Sequence, residues 1–494
     1  MANILFIQPF DFPNFLGQKK RKRFLISRAQ FEVGYQVPVE HDFSVLDLNL
    51  AIRQKGSIPK AIEEATQSLN PDLIFLTYPS FPQGEQVALV LRCLTKVANI
   101  PVVMGGGAIS LVKDAPLRWW PDMNISCCYS GFGKQISTII QSIVTGKNQN
   151  LPGVFWAGEK PSEKGNLRER LIDFYKPEDL YSARGRIDFS GYVDDIRRVG
   201  FNPCAVIELT RGCLHRCSFC AINRENFGFF SRSPEIVIHE IEYLVNMGIT
   251  SFHFTDPTFG LAIKKTEELV ETMVLLQKKH PKNRFEITTR VDIISRKNAL
   301  LFRKAGVVRC DLGMETMSEM ELASVHKGFK REKIRKAVRY LAEVGIETKL
   351  FHITFPQKIS IPTIEFLLEL SRSRVPFLVQ SAYLRGIPNP LSEPLFSNQD
   401  QKVFCRESDS IEQIMEWMLV NLAFKSINTF LHEPRFQENL RNALSQDIDL
   451  KTLFEIAQSN SGITLNLKAD FDGQRYFFRH KRKTPFTWCF KKTS

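Results

Sequence analysis

Short apolar runs alternate with amphipathic stretches twice along this chain, and that alternation restricts it to parallel sheets flanked by helices. The first series predicts strands at Ile4–Ile7, Phe43–Leu48, Asp72–Thr77, Pro101–Met104 and Ile125–Tyr129, with helices at Lys60–Leu69, Gln83–Val97 and Lys134–Val144. Five such strands make a doubly wound domain over residues 1–146, whose ligand would lie at the strands' carboxyl ends. The loops there contain Asp47, Thr77-Tyr78-Pro79-Ser80 and Gly105-Gly106-Gly107. The glycine triplet either lets a large cofactor approach the backbone or makes a tight turn.

Residues 147–200 carry Pro, Gly and many charges without a sustained period, and read as a linker and lead-in. The second series predicts strands at Ala205–Leu209, Ser251–Thr255, Phe285–Thr289, Val307–Leu312, Thr348–Thr354 and Phe377–Tyr383. Six β/α units are too few for a closed eight-stranded barrel, so residues 201–397 are expected to form a partial (β/α)6 barrel. The helix from Ser233 is the clearest: Ser233 caps it, Pro234 suits the first turn, Ile238, Ile241 and Val245 form a stripe, and Gly248 ends it. Residues 398–494 change to helices, at Ile411–Ser426 and Pro434–Leu444, followed by a strand pair around Asp472-Gly473. The fold class is therefore α/β with a mainly helical tail.

Lys and Arg number 66 against 53 Asp and Glu, a net charge of +13 that favours an acidic partner. The charge gathers at Lys19–Arg23 and Arg479–Lys483, which are contact surfaces or simply solvated segments. An apolar fraction of 43% excludes a disordered chain. Met1-Ala2-Asn3-Ile4 lacks the basic region of a signal peptide and no apolar run reaches membrane-spanning length, so the expected location is cytoplasmic, without membrane partners. Ten cysteines in such a chain are expected as reduced thiols, ligands or catalysts.

The most specific motif is Cys213-Leu-His-Arg-Cys217-Ser-Phe-Cys220, after the first strand of the second series. Three thiolates on one loop can hold an iron–sulfur cluster and leave one iron open to a ligand. The alternative is a structural zinc site, with His215 as the fourth donor.

This loop, with Phe219 at the aromatic position before the third cysteine and six β/α units around it, resembles the cluster motif of radical S-adenosylmethionine enzymes. The resemblance implies that Cys213, Cys217 and Cys220 hold a [4Fe-4S] cluster whose open iron binds S-adenosylmethionine. One electron, from a donor such as flavodoxin or ferredoxin, then cleaves the sulfonium to a 5′-deoxyadenosyl radical. It further implies cofactor contacts for Phe219, for Asp256 with the amino group, Arg290 with the carboxylate and Glu315 with the ribose hydroxyls. Each of those charges reads otherwise as a solvated strand end.

The first domain resembles the cobalamin-binding domain of one branch of that family, which makes Thr77, Gly105 and Gly106 candidate contacts. Several features depart from the pattern. An Asp-x-His-x-x-Gly motif is absent, and His41 is the only histidine in the first 200 residues. Lys19–Arg23 and an irregular run to Asp42 stand where a helix is expected. Gly131-Phe132-Gly133-Lys134 replaces the acidic loop. Cobalamin is left open.

Relatives of this architecture modify ribosomally made peptides by epimerisation or C-methylation. Epimerisation needs a thiol to return hydrogen to the α-carbon, and Cys405 is the candidate, with Cys310 as a competitor inside a strand. The leading expectation is a peptide epimerase acting on a precursor with an acidic leader. The alternatives are a cobalamin-dependent C-methyltransferase acting on a peptide or small molecule, and, less in keeping with these motifs, an enzyme acting on RNA.

Overall fold

In the computed structural model the described residues are 1–10, 23–79, 83–97, 99–131, 135–159, 189–220, 222, 228–354, 360–373, 375, 377–383, 434–444, 468–471, 475–479 and 487–491. Cys405, Lys19–Lys22, Ser80, Phe132–Lys134, Ile411–Ser426, Asp472-Gly473 and His480–Lys483 lie outside them. The chain divides into two units. The described residues of the first fall within Met1–Gly212 and Ala221–Thr255, and those of the second within Cys213–Cys220, Asp256–Pro388 and Pro394–Ser494.

The strands of the first unit are β1 (Asn3–Gln8), β2 (Arg23–Ile26), β3 (Asp42–Asp47), β4 (Leu73–Thr77), β5 (Val102–Gly105), β6 (Ile125–Tyr129), β7 (Val154–Trp156), β8 (Asn202–Ile207), β9 (Thr210–Arg211), β10 (Phe230–Ser231) and β11 (Ser251–Phe254). One sheet has the order β3-β1-β4-β5-β6-β7. Its first five strands are parallel, with Ile4 facing Phe43 on one side and Leu73 on the other. Strand order reverses between β1 and β4, which is where such sheets form a crevice. All five residues of β4 are buried, as expected of a strand covered on both faces. Phe6, Phe75, Val103 and Ile140 share one core, and burying each such side chain contributes about 1.5–3 kcal/mol. The helices Ile58–Leu69, Gly84–Val97 and Ile136–Thr145 lie where the periodicity places them.

Two stretches of this unit differ from the sequence reading. The run before Asp42, read as irregular, contains β2, paired parallel with β8, and the helix Ala29–Gln36. That helix has no side-chain cap, buries the polar Gln30 and includes Gly34, so local signals for it are weak. Tertiary contacts hold it: Phe31 meets the Phe189 ring edge-on at 5.3 Å, and Gly34 packs under the Phe43 ring, where a Cβ would lie 2.6 Å from a ring carbon. The lead-in of residues 147–200 supplies β7, antiparallel to β6, and the helix Phe189–Arg198. The barrel series begins at β8, onto which β11 packs in parallel.

The second unit contains β12 (Arg284–Arg290), β13 (Val307–Glu315), β14 (Glu347–Thr354) and β15 (Phe377–Tyr383), all parallel and in sequential register. The helices Ile263–Lys279, Arg296–Lys304, Arg331–Glu343 and Ile361–Arg372 stand before or between these strands, the arrangement of successive β/α units in a half-barrel. Thus, among the described residues, the six strands of the second series follow along the chain, β8 and β11 in the first unit and β12 to β15 in the second. In the tail the helix Pro434–Leu444 is present. The strand pair gains a partner, giving an antiparallel sheet of β16 (Lys468–Phe471), β17 (Arg475–Arg479) and β18 (Thr487–Lys491). Among the described residues no helix is long and apolar enough to cross a membrane.

Candidate active site at the cysteine loop and the strand ends

The chain approaches the cysteine motif through a short stem. β9 and β10 pair antiparallel, Arg211 opposite Phe230 and Thr210 opposite Ser231. Gly212 then takes φ +80°, and a Cβ there would lie 1.8 Å from the Gly228 carbonyl oxygen, so only glycine fits. Buried charges brace this stem. Arg211 pairs with Glu208 at 2.7 Å and with Glu32 at 2.9 Å, and Arg232 pairs with Glu240 at 2.7 Å while donating to the Glu208 carbonyl. Arg28 stands 3.4 Å from Glu32 and 3.8 Å from Glu208.

Within the second unit, Cys217 is buried and Cys213 and Cys220 are half-buried. The Cys220 amide donates to the Cys217 carbonyl at 3.1 Å, which curls the loop, and the Ser218 amide donates to the Val325 carbonyl at 3.3 Å. Thr258 Oγ1 lies 3.8 Å from Cys213 Sγ. Arg290, the last residue of β12, directs Nη1 to Cys217 Sγ at 3.6 Å. Its other nitrogens donate to both oxygens of Asp292, at 2.9 and 3.0 Å, and to the Lys327 carbonyl at 2.5 Å.

Glu315 ends β13 in the left-handed region, at φ +64°, next to a register shift against β14. Such a conformation costs about 1–3 kcal/mol and persists only where the surroundings enforce it. Its carboxylate accepts from Lys327 Nζ at 2.8 Å, with both side chains buried. Burial raises the Glu315 pKa, and the Lys327 ammonium opposes that rise. Gly313 makes room for the pair, since a Cβ there would lie 3.0 Å from Glu315 Oε1 and 3.1 Å from Lys327 Nζ. Lys327 Nζ also lies 5.6 Å from the Phe219 ring centroid. The structure thus brings Cys217, Phe219, Arg290 and Glu315 around Lys327 or its direct partners. Asp256 follows β11 and is buried. Cys310 is fully buried in β13, where burial pushes its thiol pKa up.

Three thiols on one half-buried loop beside a guanidinium suit an iron–sulfur cluster, whose thiolates each bind a different iron. Among the described residues no group of three His, Cys, Asp or Glu side chains is gathered tightly enough to hold a metal ion, and a single zinc would need four donors at about 2.0–2.3 Å. His215 is half-buried, and burial, reinforced by the Arg290 charge, lowers its pKa.

At the carboxyl ends of the first sheet, Gly106 takes φ +107°, and a Cβ there would lie 2.6 Å from the Tyr78 carbonyl oxygen and 2.8 Å from Thr77 Oγ1. The glycines therefore lay one loop flat on the next, with Gly106 and Gly107 exposed on the outer side. Gln8, ending β1, has Oε1 buried without a hydrogen-bond partner, and both amide atoms of Gln86, in the first turn of the helix after β4, are in the same state. An unsatisfied buried amide costs about 1–3 kcal/mol, so this end of the sheet suits a ligand rich in neutral hydrogen-bonding groups.

Asp47 serves the fold: it caps the helix Leu48–Lys55 by accepting from the Asn49 amide at 2.9 Å, and it accepts from the Tyr192 hydroxyl at 2.7 Å. Burial raises its pKa from 3.8 to about 6. The folded carboxyl therefore holds its proton to higher pH than the unfolded one, and Asp47's contribution to stability falls as pH rises from about 4 through about 6. A melting temperature measured across that window is expected to fall less steeply in Asp47→Asn than in the native protein. Equal slopes would remove Asp47 from the linkage.

Lys327, Thr258 and Asp292 were not singled out from the sequence. Lys327 lies in Ser-Val-His-Lys-Gly-Phe, and its burial distinguishes it.

Residues 207–365 match the radical SAM superfamily. The anaerobic magnesium-protoporphyrin IX monomethyl ester cyclase of Rubrivivax gelatinosus is 30% identical over 202 residues, which are 40% of this chain and 35% of that protein. The chain thus spans about a third of the length of this curated relative. The radical S-adenosylmethionine methyltransferase TsrM from Kitasatospora setae, solved with cobalamin and a [4Fe-4S] cluster bound, has a similar fold with TM-score 0.59 at 18% identity, over 78% of this chain and 72% of that one. The cobalamin-dependent S-adenosylmethionine radical enzyme OxsB, with aqua-cobalamin bound, has TM-score 0.57 at 15% identity, over 77% of this chain and 53% of its own.

Proposed function

We propose, from the premise that residues 207–365 are a radical SAM domain, that the whole chain is a cobalamin-dependent radical S-adenosylmethionine C-methyltransferase acting on a peptide or small molecule. The observation carrying this reading is the pairing, in one chain, of the three-thiol loop with a doubly wound domain in which Gln8 Oε1 and both amide atoms of Gln86 are buried without a hydrogen-bond partner. The fold likeness to TsrM and OxsB supports it over peptide epimerisation.

Cys213, Cys217 and Cys220 would hold the cluster, and Thr77, Gly105, Gly106, Gln8 and Gln86 would line the cobalamin side. When bound, these groups supply the single electron for sulfonium cleavage and a carrier for the methyl group, fed by a donor such as flavodoxin or ferredoxin. The protein's own part would be placement: Glu315 would offer a carboxylate to ribose hydroxyls, Arg290 sets the charge beside Cys217, and the buried Asp256 would accept from the cofactor's amino group.

The test is anaerobic purification with cluster reconstitution, then gel filtration with added cobalamin, then reaction with candidate peptides or small molecules in deuterium oxide. Retention of about one cobalamin per chain and a product gain of about 14 mass units that requires it are the expected result. A product gaining about one unit, with deuterium on an α-carbon and without cobalamin, would return the assignment to epimerisation.

A further inference from the structure

The turn Val325–Phe329 belongs to no part of the machinery assigned above, yet it touches most of it. It closes the helix Glu319–Ser324, whose Ser318 cap accepts from the Glu321 amide. The Lys327 amide returns to the Leu322 carbonyl and the His326 amide to the Ala323 carbonyl, both at 3.0 Å. This is the Schellman pairing, with His326 rather than glycine in the left-handed position at φ +54°. Gly328 is also left-handed, at φ +73°. The result is that Lys327 is 5% exposed between exposed neighbours on either side.

Three contacts then converge on this one residue. Its ammonium pairs with Glu315 at 2.8 Å, its carbonyl accepts from Arg290 at 2.5 Å, and its Nζ lies 5.6 and 5.7 Å from the Phe219 and Phe329 ring centroids. Phe329 also lies under the Arg290 guanidinium, at 5.2 Å. The preceding Val325 carbonyl anchors the cysteine loop through Ser218. A long flexible amine is rarely buried without a partner, because ordering and desolvating it is costly. Here its burial orients a carboxylate in a strained backbone conformation and restrains the guanidinium beside Cys217.

We propose that Lys327 is a positioning residue for S-adenosylmethionine binding: it sets the Glu315 carboxylate through its ammonium and Arg290 through its carbonyl. The inference deepens the radical S-adenosylmethionine reading and rests on it. Lys327→Met keeps the carbonyl and a similar length but removes the charge, and Lys327→Met combined with Glu315→Gln removes both charges, so that no unpaired ion stays buried.

With the reconstituted protein, iron and sulfide content, thermal unfolding and the Kd for S-adenosylmethionine are measured for the native chain, both single variants and the double variant. The expected result is normal iron content throughout and a Kd raised roughly tenfold or more in Lys327→Met, with no further rise on adding it to Glu315→Gln. The double variant is expected to recover the melting temperature lost by Lys327→Met without recovering affinity, a split that a purely structural role would not produce. An unchanged Kd in Lys327→Met, or affinity returning with stability in the double variant, would overturn the proposal. A native chain that takes up iron and sulfide but binds no S-adenosylmethionine, or takes up neither, would instead refute the underlying cofactor reading.

Discussion

Alanine at Cys213, Cys217 or Cys220 is expected to abolish the brown absorption of the reconstituted protein and reduce S-adenosylmethionine cleavage to background. With one of three thiolates gone, the loop presents two thiol donors, one fewer than the site-differentiated cluster needs, and Thr258 offers only a hydroxyl at 3.8 Å from Cys213. The check is anaerobic reconstitution of each single variant, with iron and sulfide assays, visible spectra and 5′-deoxyadenosine production. Full activity in any one variant would show that its thiol is not a cluster ligand. A Cys310→Ala variant makes a useful contrast, because that thiol is fully buried in β13 and is expected to leave the spectrum unchanged.

The second large effect concerns the stem. Arg232→Ala is expected to destabilise the folded chain by about 3–5 kcal/mol, because it removes the 2.7 Å ion pair that compensates the buried Glu240 carboxylate. The Glu208 carbonyl loses the Arg232 donor in the same step. Such a loss is a large fraction of ordinary domain stability. Replacing the pair together, Arg232→Met with Glu240→Leu, is expected to restore most of it, since apolar side chains of similar volume avoid the desolvation that the ions incur. Urea unfolding of the single and double variants provides the measurement. A single variant within about 1 kcal/mol of the native chain would mean that Arg28 takes over the pairing.

These expectations separate what was legible in advance from what was not. The cysteine loop was legible because covalent spacing alone places its three thiols on one loop, and the alternating strands because apolar side chains repeat with the pleat. The helix from Ser233 was legible at its ends: Ser233 accepts from the Ile236 amide, Pro234 begins the helix and Gly248 has φ +76°. Its stripe was off by one position, with Leu244 buried where Val245 was expected, because the helical period fixes a face and the packing partner selects its centre. Arg290 and Glu315 were legible as residues at the carboxyl ends of strands, although the Asp292 and Lys327 partners that hold them were not.

The helix Ala29–Gln36 and strand β2 had no readable local signal. A helix without a side-chain cap, with glycine inside it and glutamine in its buried face, exists because Gly34 packs on the Phe43 ring and because Phe31 and Glu32 find partners far along the chain, in Phe189 and Arg211. Asp47 was noticed for its place after a strand, and only the fold turned it into a cap held by Tyr192.

By itself, then, the sequence determined the α/β class, the two series of strands and the thiol donors, because periodicity and chain spacing are local properties of a polymer. Tertiary structure alone decided that Lys327 is buried between Glu315 and the cysteine loop, that Gln8 and Gln86 are left unsatisfied at one end of a sheet, and that six charges brace the stem. Burial and ion pairing depend on which distant residues exclude water around a group, and no spacing along one chain encodes that directly.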